Sequence, residues 1–431
     1  MVNIGIIGCG TVGVNVVKIL EKHSSIIKNR VGCSINIKWV CDKDLSRIKQ
    51  LPNVPKEKIT SDINKVLLDP SVDILVELIG GNDISKKIII EAMNRGKHIV
   101  TANKAVLSKY WDEIFSVALR KKLLVYFEAA VGAGIPVIQS LNEGLAANKI
   151  QSIVGILNGT TNFILSKMTD DNMGFDDALK LAQKSGFAEA NPLLDLDGSD
   201  AAQKLSILAS IAFGNHLPFE KIHREGISGI SSFDIRYAKN EFGYVLKLLA
   251  SVKNENGKIS ATVCPTLIDA EHPLAAVENE YNAIYIDGDS CGDIMLYGKG
   301  AGGPAAASAV VSDIIYLATN IFYGTAGKFP FILYDKKIKL NIRPVEDIVS
   351  KYYLRFSTAD KPGVLSKISG ILGKNNVSIS ACFQEERHKK QAVPVLMLTH
   401  QTKEGNIRKA LKIIDDLPIV KSKTVMFRIM E

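Results

Sequence analysis

Apolar runs rich in β-branched residues alternate with helical segments over the first third of the chain. Residues 2–8 form the first run, and residues 35–41, 72–78, 98–101 and 123–127 form four more. Apolar positions recur at helical spacing between these runs, at residues 12–23, 62–68 and 84–95. Continuous apolar strands separated by helices are typical of a parallel sheet that is covered on both faces. The pattern therefore predicts a doubly wound α/β domain over residues 1–134.

The later part of the chain follows two other patterns. Strands and helices mix less regularly over residues 135–299, which predicts an α+β substrate domain, and an apolar helix within residues 300–325 is expected to pack back on the first domain. Residues 326–349 contain Pro330 and Pro344 and are predicted to be a connector. Residues 350–431 carry the order βαββαβ, with helices near 363–374 and 403–415, which predicts a ferredoxin-like module.

The turn after the first strand reads Gly8-Cys9-Gly10-Thr11-Val12-Gly13 and opens a helix. This context is the one in which a G-x-G-x-x-G turn binds the pyrophosphate of a dinucleotide, so the first domain is predicted to be of the Rossmann type. Asp42 ends the second strand, where a carboxylate binds the adenosine ribose of NAD, while Lys43 and Arg47 suit the 2′-phosphate of NADP. The choice between NAD and NADP stays open at this point.

Composition narrows the class of protein. The 431 residues carry a formal charge of +8, but the basic residues are dispersed apart from Lys336–Lys339 and Arg387–Lys390, so no nucleic-acid partner is predicted. The most apolar stretch, residues 305–322, includes Asp313 and several other polar residues, which favours a buried helix over a membrane span. Six scattered cysteines without a C-x-x-C pair, and a strand that begins at the second residue, predict a cytoplasmic protein.

Acidic residues concentrate in GFAEANPLLDLDGSDAAQK, residues 186–204. A calcium loop is excluded, because Asp200 stands where an EF-hand requires glycine and Ser206 where it requires glutamate. Asp200 and Lys204 are four residues apart on one helical face, so they could form an ordinary surface ion pair. They could equally lie in a cleft, in which Lys204 would act as a proton donor. The spacing alone does not separate these two interpretations.

Six motifs in order resemble the homoserine dehydrogenases: ELIGG (77–81), TANKA (101–105), FEAAVGAGIPVIQSL (127–141), ILNGTTNFIL (156–165), GFAEANPLLDLDGSDAAQKLSILA (186–209) and GKGAGGPAAASAVVSDI (298–314). One position departs from the family pattern, since Asn191 stands where the family usually has aspartate. The segment DKPGVLSKISGILGKNNVSI (360–379) is similar to an ACT domain, an amino-acid-sensing module.

The resemblance implies reversible NAD(P)H-dependent reduction of L-aspartate 4-semialdehyde to L-homoserine, in threonine and methionine biosynthesis. It implies that Lys204 is the general acid and that Lys104 reaches the cofactor and the carbonyl group. The remaining implied site residues bind substrate (Glu189, Asp195, Asp200) or line the nicotinamide and its ribose (Gly80, Thr101, Gly186, Gly303).

The resemblance also implies two further ligands and an oligomer. A monovalent cation, usually Na⁺, would bind near Glu128 and the carbonyl groups of Val131, Ala133 and Ile135. The ACT-like module would bind an amino acid, L-threonine as the end product, through residues at the two ends of its first helix (Asp360, Gly363, Val364, Asn375, Asn376). Such modules pair, so a homodimer or homotetramer is expected. The alternatives are another Rossmann dehydrogenase acting on an amino acid semialdehyde or oxo acid, and an inactive amino acid sensor.

Overall fold

The computed structural model describes residues 1–48, 51, 54–384 and 392–430. The basic run Arg387–Lys390 lies outside the described residues. The chain divides into two compact units. The first contains residues 1–159, 200–222 and 280–340, and the second contains residues 160–199, 223–279 and 341–431.

A six-stranded sheet organises the first unit, in the order β3-β2-β1-β4-β5-β6. Every neighbouring pair in this sheet is parallel. The strands are β1 Val2–Ile7, β2 Ile35–Cys41, β3 Ile59–Thr60, β4 Ile74–Glu77, β5 His98–Thr101 and β6 Val125–Tyr126. The order reverses between β1 and β4, and this switch point is where doubly wound sheets bind their ligands.

The first unit also contains nine α-helices among its described residues. They are α1 Thr11–Lys22, α2 Ser24–Val31, α3 Leu45–Ile48, α4 Ile63–Leu68, α5 Asp83–Asn94, α6 Lys104–Lys121, α7 Val137–Gln139, α11 Ser199–Phe213 and α13 Gly303–Phe322. α13 is long and apolar enough to cross a membrane, but about 50 % of it is buried inside the protein. Its residues Ala307, Val310, Ile314 and Leu317 belong to the same core as β1. The apolar face of α13 therefore packs in the core of the parallel sheet.

A second, antiparallel sheet in the first unit has the order β12-β11-β7. Its strands are β7 Ile150–Ile156, β11 Tyr281–Gly288 and β12 Gly292–Lys299. β7 leads directly to Leu157 and Asn158, and both residues reappear in the site described below.

The second unit is built on a six-stranded run, β9-β10-β18-β14-β16-β15. The long strands are β9 Tyr244–Glu255, β10 Lys258–Asp269, β14 Val349–Thr358, β15 Ile379–Gln384, β16 Val393–Thr399 and β18 Val420–Ile429. Three short strands add to it, β8 His223–Arg224, β13 Asn341–Ile342 and β17 Thr402–Lys403. β10 pairs with β18 in parallel, so the C-terminal strand continues a sheet that begins in residues 244–269.

The helices of the second unit are α8 Gly159–Asp170, α9 Phe175–Lys184, α10 Leu193–Leu196, α12 Ser232–Phe242, α14 Val364–Lys374 and α15 Glu404–Asp415, with only the first residue of α8 in the first unit. α14 and α15 pack on one face of β14 and β16, in a core that includes Phe356, Ile368 and Ile407. The order β14, α14, β15, β16, α15, β18 confirms the predicted βαββαβ module. The predicted Rossmann-type sheet and mixed central region are also confirmed, whereas the exact domain boundaries stay predictions.

Candidate active site

The glycine-rich turn has the geometry that a bound pyrophosphate requires. Gly8 has φ +98°, and a Cβ atom there would lie 2.5 Å from the carbonyl carbon of Leu78. A Cβ atom on Gly13 would lie 2.2 Å from the carbonyl oxygen of Gly8, so α1 could not approach the strand with any other residue. A Cβ atom on Gly10 would meet only the Arg47 side chain, at 3.9 Å, and Gly10 caps α1 without a side-chain acceptor. The residues present therefore fit a dinucleotide, because the amide groups of Gly10, Thr11 and Val12 lie at the N-terminal end of α1, where phosphate oxygens can accept from them.

Asp42 supports this turn from the end of β2. One of its carboxylate oxygens accepts the Cys9 amide at 2.6 Å, and the other accepts the Asp44 amide at 2.9 Å. The Arg47 guanidinium lies beside the same turn, since its Nη1 is 3.9 Å from the position of a Cβ atom on Gly10. Lys43, also predicted to meet the cofactor, is exposed next to Asp42. The carboxylate thus has backbone donors on both oxygens, and a guanidinium adjoins the turn.

The first unit brings Lys104, Asp200 and Lys204 together. Lys204 Nζ lies 2.7 Å from Asp200 Oδ2, and Lys104 Nζ lies 3.0 Å from Asp200 Oδ1. Asp200 and Lys204 are each 8 % exposed, while Lys104 is more open. The pair at 200 and 204 is therefore a buried ion pair and not the surface pair that its spacing also allowed.

Two neighbours from the end of β7 complete this cluster. The Leu157 carbonyl oxygen accepts from Lys204 Nζ at 2.7 Å, and the Asn158 side-chain amide donates to Asp200 Oδ2 at 2.9 Å. Asn158 lies within the motif ILNGTTNFIL, but nothing in the sequence assigned it a contact with Asp200. An ammonium group has three donors, so Lys204 keeps one N–H beyond its two partners among the described residues.

Electrostatics keep Asp200 charged. Burial alone would raise the pKa of this carboxyl group, but the ammonium groups of Lys204 and Lys104 lower the pKa far below its usual range. The cluster therefore holds two positive charges against one negative charge, with Asp200 and Lys204 buried and Lys104 partly exposed. A surplus positive charge of this kind stabilises an oxygen that becomes negative during a reaction.

Three of the residues predicted to line the nicotinamide half belong to the first unit: Gly80 follows β4, Thr101 ends β5 and Gly303 begins α13. Gly80 and Gly81 have positive φ values of 79° and 80°. The Thr101 hydroxyl donates to the buried carboxylate of Glu77 at 2.7 Å. A Cβ atom on Gly303 would lie 2.5 Å from Thr11 Cγ2, so the start of α13 packs directly on the glycine-rich turn.

Three further predicted residues belong to the second unit. Thr160 Oγ1 lies 3.2 Å from Asp195 Oδ2 and donates to the Phe187 carbonyl group at 2.7 Å, so α8 is tied to the acidic segment. The Glu189 carbonyl oxygen accepts from the Gln183 side chain, and Gly186 has φ +77° with open space where a Cβ atom would be. Glu189, Asp195 and Gly186 belong to one segment of the second unit, and Asp200 and Lys204 belong to the first unit.

Glu128, predicted to bind a cation, is buried at the end of the Rossmann-type sheet. Its carboxylate oxygens accept the Ile138 and Gln139 amides at 2.8 and 2.9 Å. Burial raises the pKa of Glu128 to about 7, although these backbone hydrogen bonds act in the opposite direction. Asp313, on α13, accepts the Glu128 amide at 2.8 Å, and burial raises its pKa well above the usual value.

The predicted cation ligands Val131, Ala133 and Ile135 follow Glu128 in an irregular segment. Gly132 and Ala133 both have positive φ, at 72° and 44°, which turns the backbone sharply here. The Ile135 carbonyl oxygen already accepts the Val137 amide at 2.8 Å. Oxygen ligands from carbonyl and carboxylate groups suit a hard monovalent cation.

A cavity of about 420 Å³ adjoins the N-terminal end of α14 in the second unit. It includes the predicted effector residues Asp360, Gly363 and Val364, together with Gln384 on β15. Asn375 and Asn376 do not line it, because they end α14 at its opposite terminus. The Asn375 side chain instead donates to the Ile371 carbonyl group at 2.9 Å. Gln384 was not predicted, since only the sheet pairing brings it to this cavity.

A buried ionic network also lies in the second unit. Glu404 is fully buried and accepts from both Nε and Nη2 of Arg428, at 2.8 and 2.6 Å. Glu225 accepts from Arg408 and from His223, and it lies 3.5 Å from Arg428. His223, Glu225 and Cys264 are close enough to bind a metal ion together, but the two guanidinium groups already occupy Glu225. This cluster is therefore better described as an ion-pair network than as a metal site.

Comparison with known proteins agrees with this geometry. The family model of the homoserine dehydrogenase NAD-binding domain matches residues 8–128, that of homoserine dehydrogenase matches residues 136–315, and that of the ACT domain matches residues 352–419. The homoserine dehydrogenase of Neisseria gonorrhoeae is 41 % identical over 99 % of this chain and 98 % of its own length. The homoserine dehydrogenase of Bacillus subtilis is 37 % identical over the same shares of the two chains.

Solved structures agree as well. The crystal structure of a homoserine dehydrogenase from Thiobacillus denitrificans has a TM-score of 0.94 and 39 % sequence identity, covering 100 % of this chain and 98 % of that one. A hyperthermophilic archaeal homoserine dehydrogenase in complex with NADPH has a TM-score of 0.63 and 30 % identity, covering 77 % of this chain and 99 % of that one. Motifs, fold and full-length similarity lead to one conclusion, that the chain belongs to the homoserine dehydrogenase family and carries a C-terminal ACT domain.

Proposed function

We propose that Lys204 donates the proton in the NAD(P)H-dependent reduction of L-aspartate 4-semialdehyde to L-homoserine. Asp200 orients Lys204 and balances its charge, and Lys104 reaches the cofactor and the carbonyl group. The single observation that supports this role is the buried cluster, in which Lys204 Nζ contacts Asp200 and the Leu157 carbonyl group and keeps a third donor. A nicotinamide cofactor, when bound, supplies the hydride for the aldehyde carbon.

The chain's own residues then act on the carbonyl oxygen. As hydride reaches the carbon, the oxygen gains negative charge, and the Lys204 ammonium stabilises that charge and transfers a proton to it. Asp200 accepts from Lys204 on one oxygen and lies next to Lys104 on the other, so it orients both ammonium groups. Glu189 and Asp200 are proposed to bind the ammonium or hydroxyl group of the substrate, which their carboxylates suit, and Asp195 is proposed to support them.

Substrate and cofactor kinetics test this proposal. Purified protein should oxidise NADH or NADPH with aspartate semialdehyde and should form homoserine in equal amount. Oxidation with other oxo acids, without oxidation with aspartate semialdehyde, would indicate a different Rossmann dehydrogenase. Binding of a cofactor and of threonine without any turnover would indicate an inactive sensor.

We propose that NADPH is preferred over NADH. Both Asp42 oxygens already accept backbone amides, at 2.6 and 2.9 Å, so the carboxylate is less available to a ribose diol. The Arg47 guanidinium beside Gly10 supplies planar donors of the kind that bind phosphate, and Lys43 adds a second positive charge. The archaeal relative was solved in complex with NADPH.

The remaining ligands and the cellular setting are proposals of the same kind. L-Threonine is proposed to bind the cavity at Asp360, Gly363 and Val364, with its carboxylate at the N-terminal amides of α14, and to inhibit the enzyme.

Na⁺ is proposed to bind near Glu128 and the carbonyl groups of Val131, Ala133 and Ile135. ACT domains pair, which supports a homodimer or homotetramer. The free thiols of all six cysteines support a reducing compartment such as the cytoplasm.

A further inference from the structure

Glu77, the last residue of β4, is fully buried and faces donors only. One carboxylate oxygen accepts the Ile79 amide and the Ser85 hydroxyl, each at 2.9 Å. The other lies 2.7 Å from Thr101 Oγ1, which itself accepts the Asn103 amide at 3.1 Å. The Thr101 proton is therefore directed toward Glu77. The Ile79 amide and the Thr101 and Ser85 hydroxyl groups can all donate to Glu77, although the single Ser85 proton is also within reach of the Gly80 carbonyl oxygen, and such a set of donors suits a carboxylate.

No described residue balances this buried charge. The ion pairs found over residues 1–48, 51, 54–384 and 392–430 do not include Glu77, and its three partners are uncharged groups. A buried carboxylate without a cation is costly, because hydrogen bonds replace only part of the lost hydration. A neutral glutamine would have nearly the same shape, so packing alone does not account for a glutamate here.

The Glu77 network holds one loop at the cofactor site. Residues 78–82 leave β4 through Gly80 and Gly81, both with positive φ. Ser85 Oγ lies 3.0 Å from the Gly80 carbonyl oxygen, and the Asn103 side chain donates to the Gly81 carbonyl oxygen at 2.7 Å. The same loop touches the glycine-rich turn, where Gly8 approaches Leu78 and Ile79. Glu77 thus lies directly beneath the surface on which the cofactor is proposed to rest.

The strand order decides which half of the cofactor meets this loop. The pyrophosphate belongs at the turn after β1, and the adenosine ribose belongs at the end of β2, on one side of that turn. The other half of the dinucleotide must then extend over the ends of β4 and β5, where Glu77 and Thr101 stand. That half carries the nicotinamide ring, which is neutral when reduced and positively charged when oxidised.

We propose that Glu77 is a positioning residue whose buried negative charge is balanced by the oxidised nicotinamide ring, so that the site binds NADP⁺ relatively more tightly than NADPH. This inference rests on the proposed cofactor site. The preference favours hydride transfer to the aldehyde, because the positive charge that develops on the ring meets a fixed negative charge. Glu77 also orders residues 78–82, which would help both redox forms equally.

Equilibrium binding of NADP⁺ and of NADPH to the full-length protein separates these two effects. Glu77→Gln removes the charge and keeps the shape, and it should raise the ratio of the NADP⁺ dissociation constant to the NADPH dissociation constant by about tenfold, as expected for one charge pair under about 10 Å apart in a partly buried site. Glu77→Asp keeps the charge and should leave the ratio near that of the wild type. Ser85→Ala removes one donor of the network and should weaken both redox forms by the same factor.

An unchanged ratio in Glu77→Gln, with both forms weakened equally, would overturn the charge proposal and leave only loop ordering. If Glu77→Gln does not fold, the double variant E77Q/T101V removes the unmatched hydroxyl donor and should show the same change in ratio. Wild-type protein that binds both cofactors with the stated preference but does not reduce aspartate semialdehyde would contradict the proposed reaction and leave this inference intact. Wild-type protein that binds neither cofactor would overturn the inference.

Discussion

Replacing Lys204 with methionine removes the ammonium group from the centre of the buried cluster and keeps most of the side-chain volume. The variant leaves the Leu157 carbonyl oxygen without its 2.7 Å donor. Asp200 keeps two partners, Lys104 at 3.0 Å and Asn158 at 2.9 Å. Because Asp200 does not become an unpaired charge, Lys204→Met should lower the free energy of unfolding by only about 1 to 3 kcal/mol.

The kinetic loss should be larger than the loss of stability. A positioned general acid contributes about 10²- to 10⁴-fold to a rate. This corresponds to roughly 2.7 to 5.4 kcal/mol of transition-state stabilisation. Cofactor affinity should change little, because the described contacts of Lys204 are to Asp200 and Leu157 and not to the glycine-rich turn.

Steady-state kinetics at saturating cofactor measure the loss in kcat, and denaturant unfolding of the same preparation measures stability. Lys167→Met is a matched control. Lys167 also forms an i,i+4 pair, with Asp171 at 3.2 Å, but that pair is more exposed. The Lys167→Met variant should leave kcat unchanged and should alter the free energy of unfolding by less than about 1 kcal/mol. Turnover of Lys204→Met near that of the wild type would refute the assignment and would make Lys104 the proton donor to examine next.

Three further predictions concern other parts of the chain. Arg47→Ala should raise KM for NADPH at least about tenfold and change KM for NADH little, as expected for a lost phosphate contact; equal effects on both cofactors would contradict the proposed preference. Burial would raise the pKa of Glu225, but His223, Arg428 and Arg408 together lower this pKa to about 2. The stability that the Glu225 carboxylate contributes is therefore present above about pH 4.5 and is lost as the pH falls toward 2. Thermal unfolding from pH 7 to pH 3 should show a loss of about 2 kcal/mol from this group, and Glu225→Gln should remove that part of the pH dependence. Asp360→Ala should weaken threonine inhibition measured with the aspartate semialdehyde assay at least about tenfold without changing kcat; unaltered inhibition would place the effector elsewhere.

The fold was largely predictable, because its strands are either continuously apolar or follow a clear module order. The β-branched runs at 2–8 and 72–78 correspond to β1 and β4, and the βαββαβ pattern of residues 350–431 corresponds to β14 through β18. The continuation of the C-terminal module by β10 was not predictable. β18 pairs with β10 at only two positions, Thr266 with Arg428 and Leu267 with Ile429, and long-range register leaves no local signal.

The candidate site was predictable where its residues lie close together in sequence. Asp200 and Lys204 are one helical turn apart, so their contact follows from spacing, but their burial does not. Lys104 and Asn158 reach Asp200 from distant parts of the chain, and only the fold shows that they meet. The burial of Glu77 was not predictable either, because a glutamate at a strand end is ordinarily exposed. Its hydrogen-bond donors come from residues 79, 85 and 101, and only the fold shows that they meet.

The most direct test of the central claim is a crystal structure of the full-length protein with NADP⁺ and L-homoserine. The account predicts that the homoserine hydroxyl oxygen lies within about 3.2 Å of Lys204 Nζ. Lys204 should meanwhile keep its contacts with Asp200 and the Leu157 carbonyl group. A hydroxyl group that instead contacts Lys104 or faces solvent, with Lys204 still bound only to Asp200 and Leu157, would contradict the account.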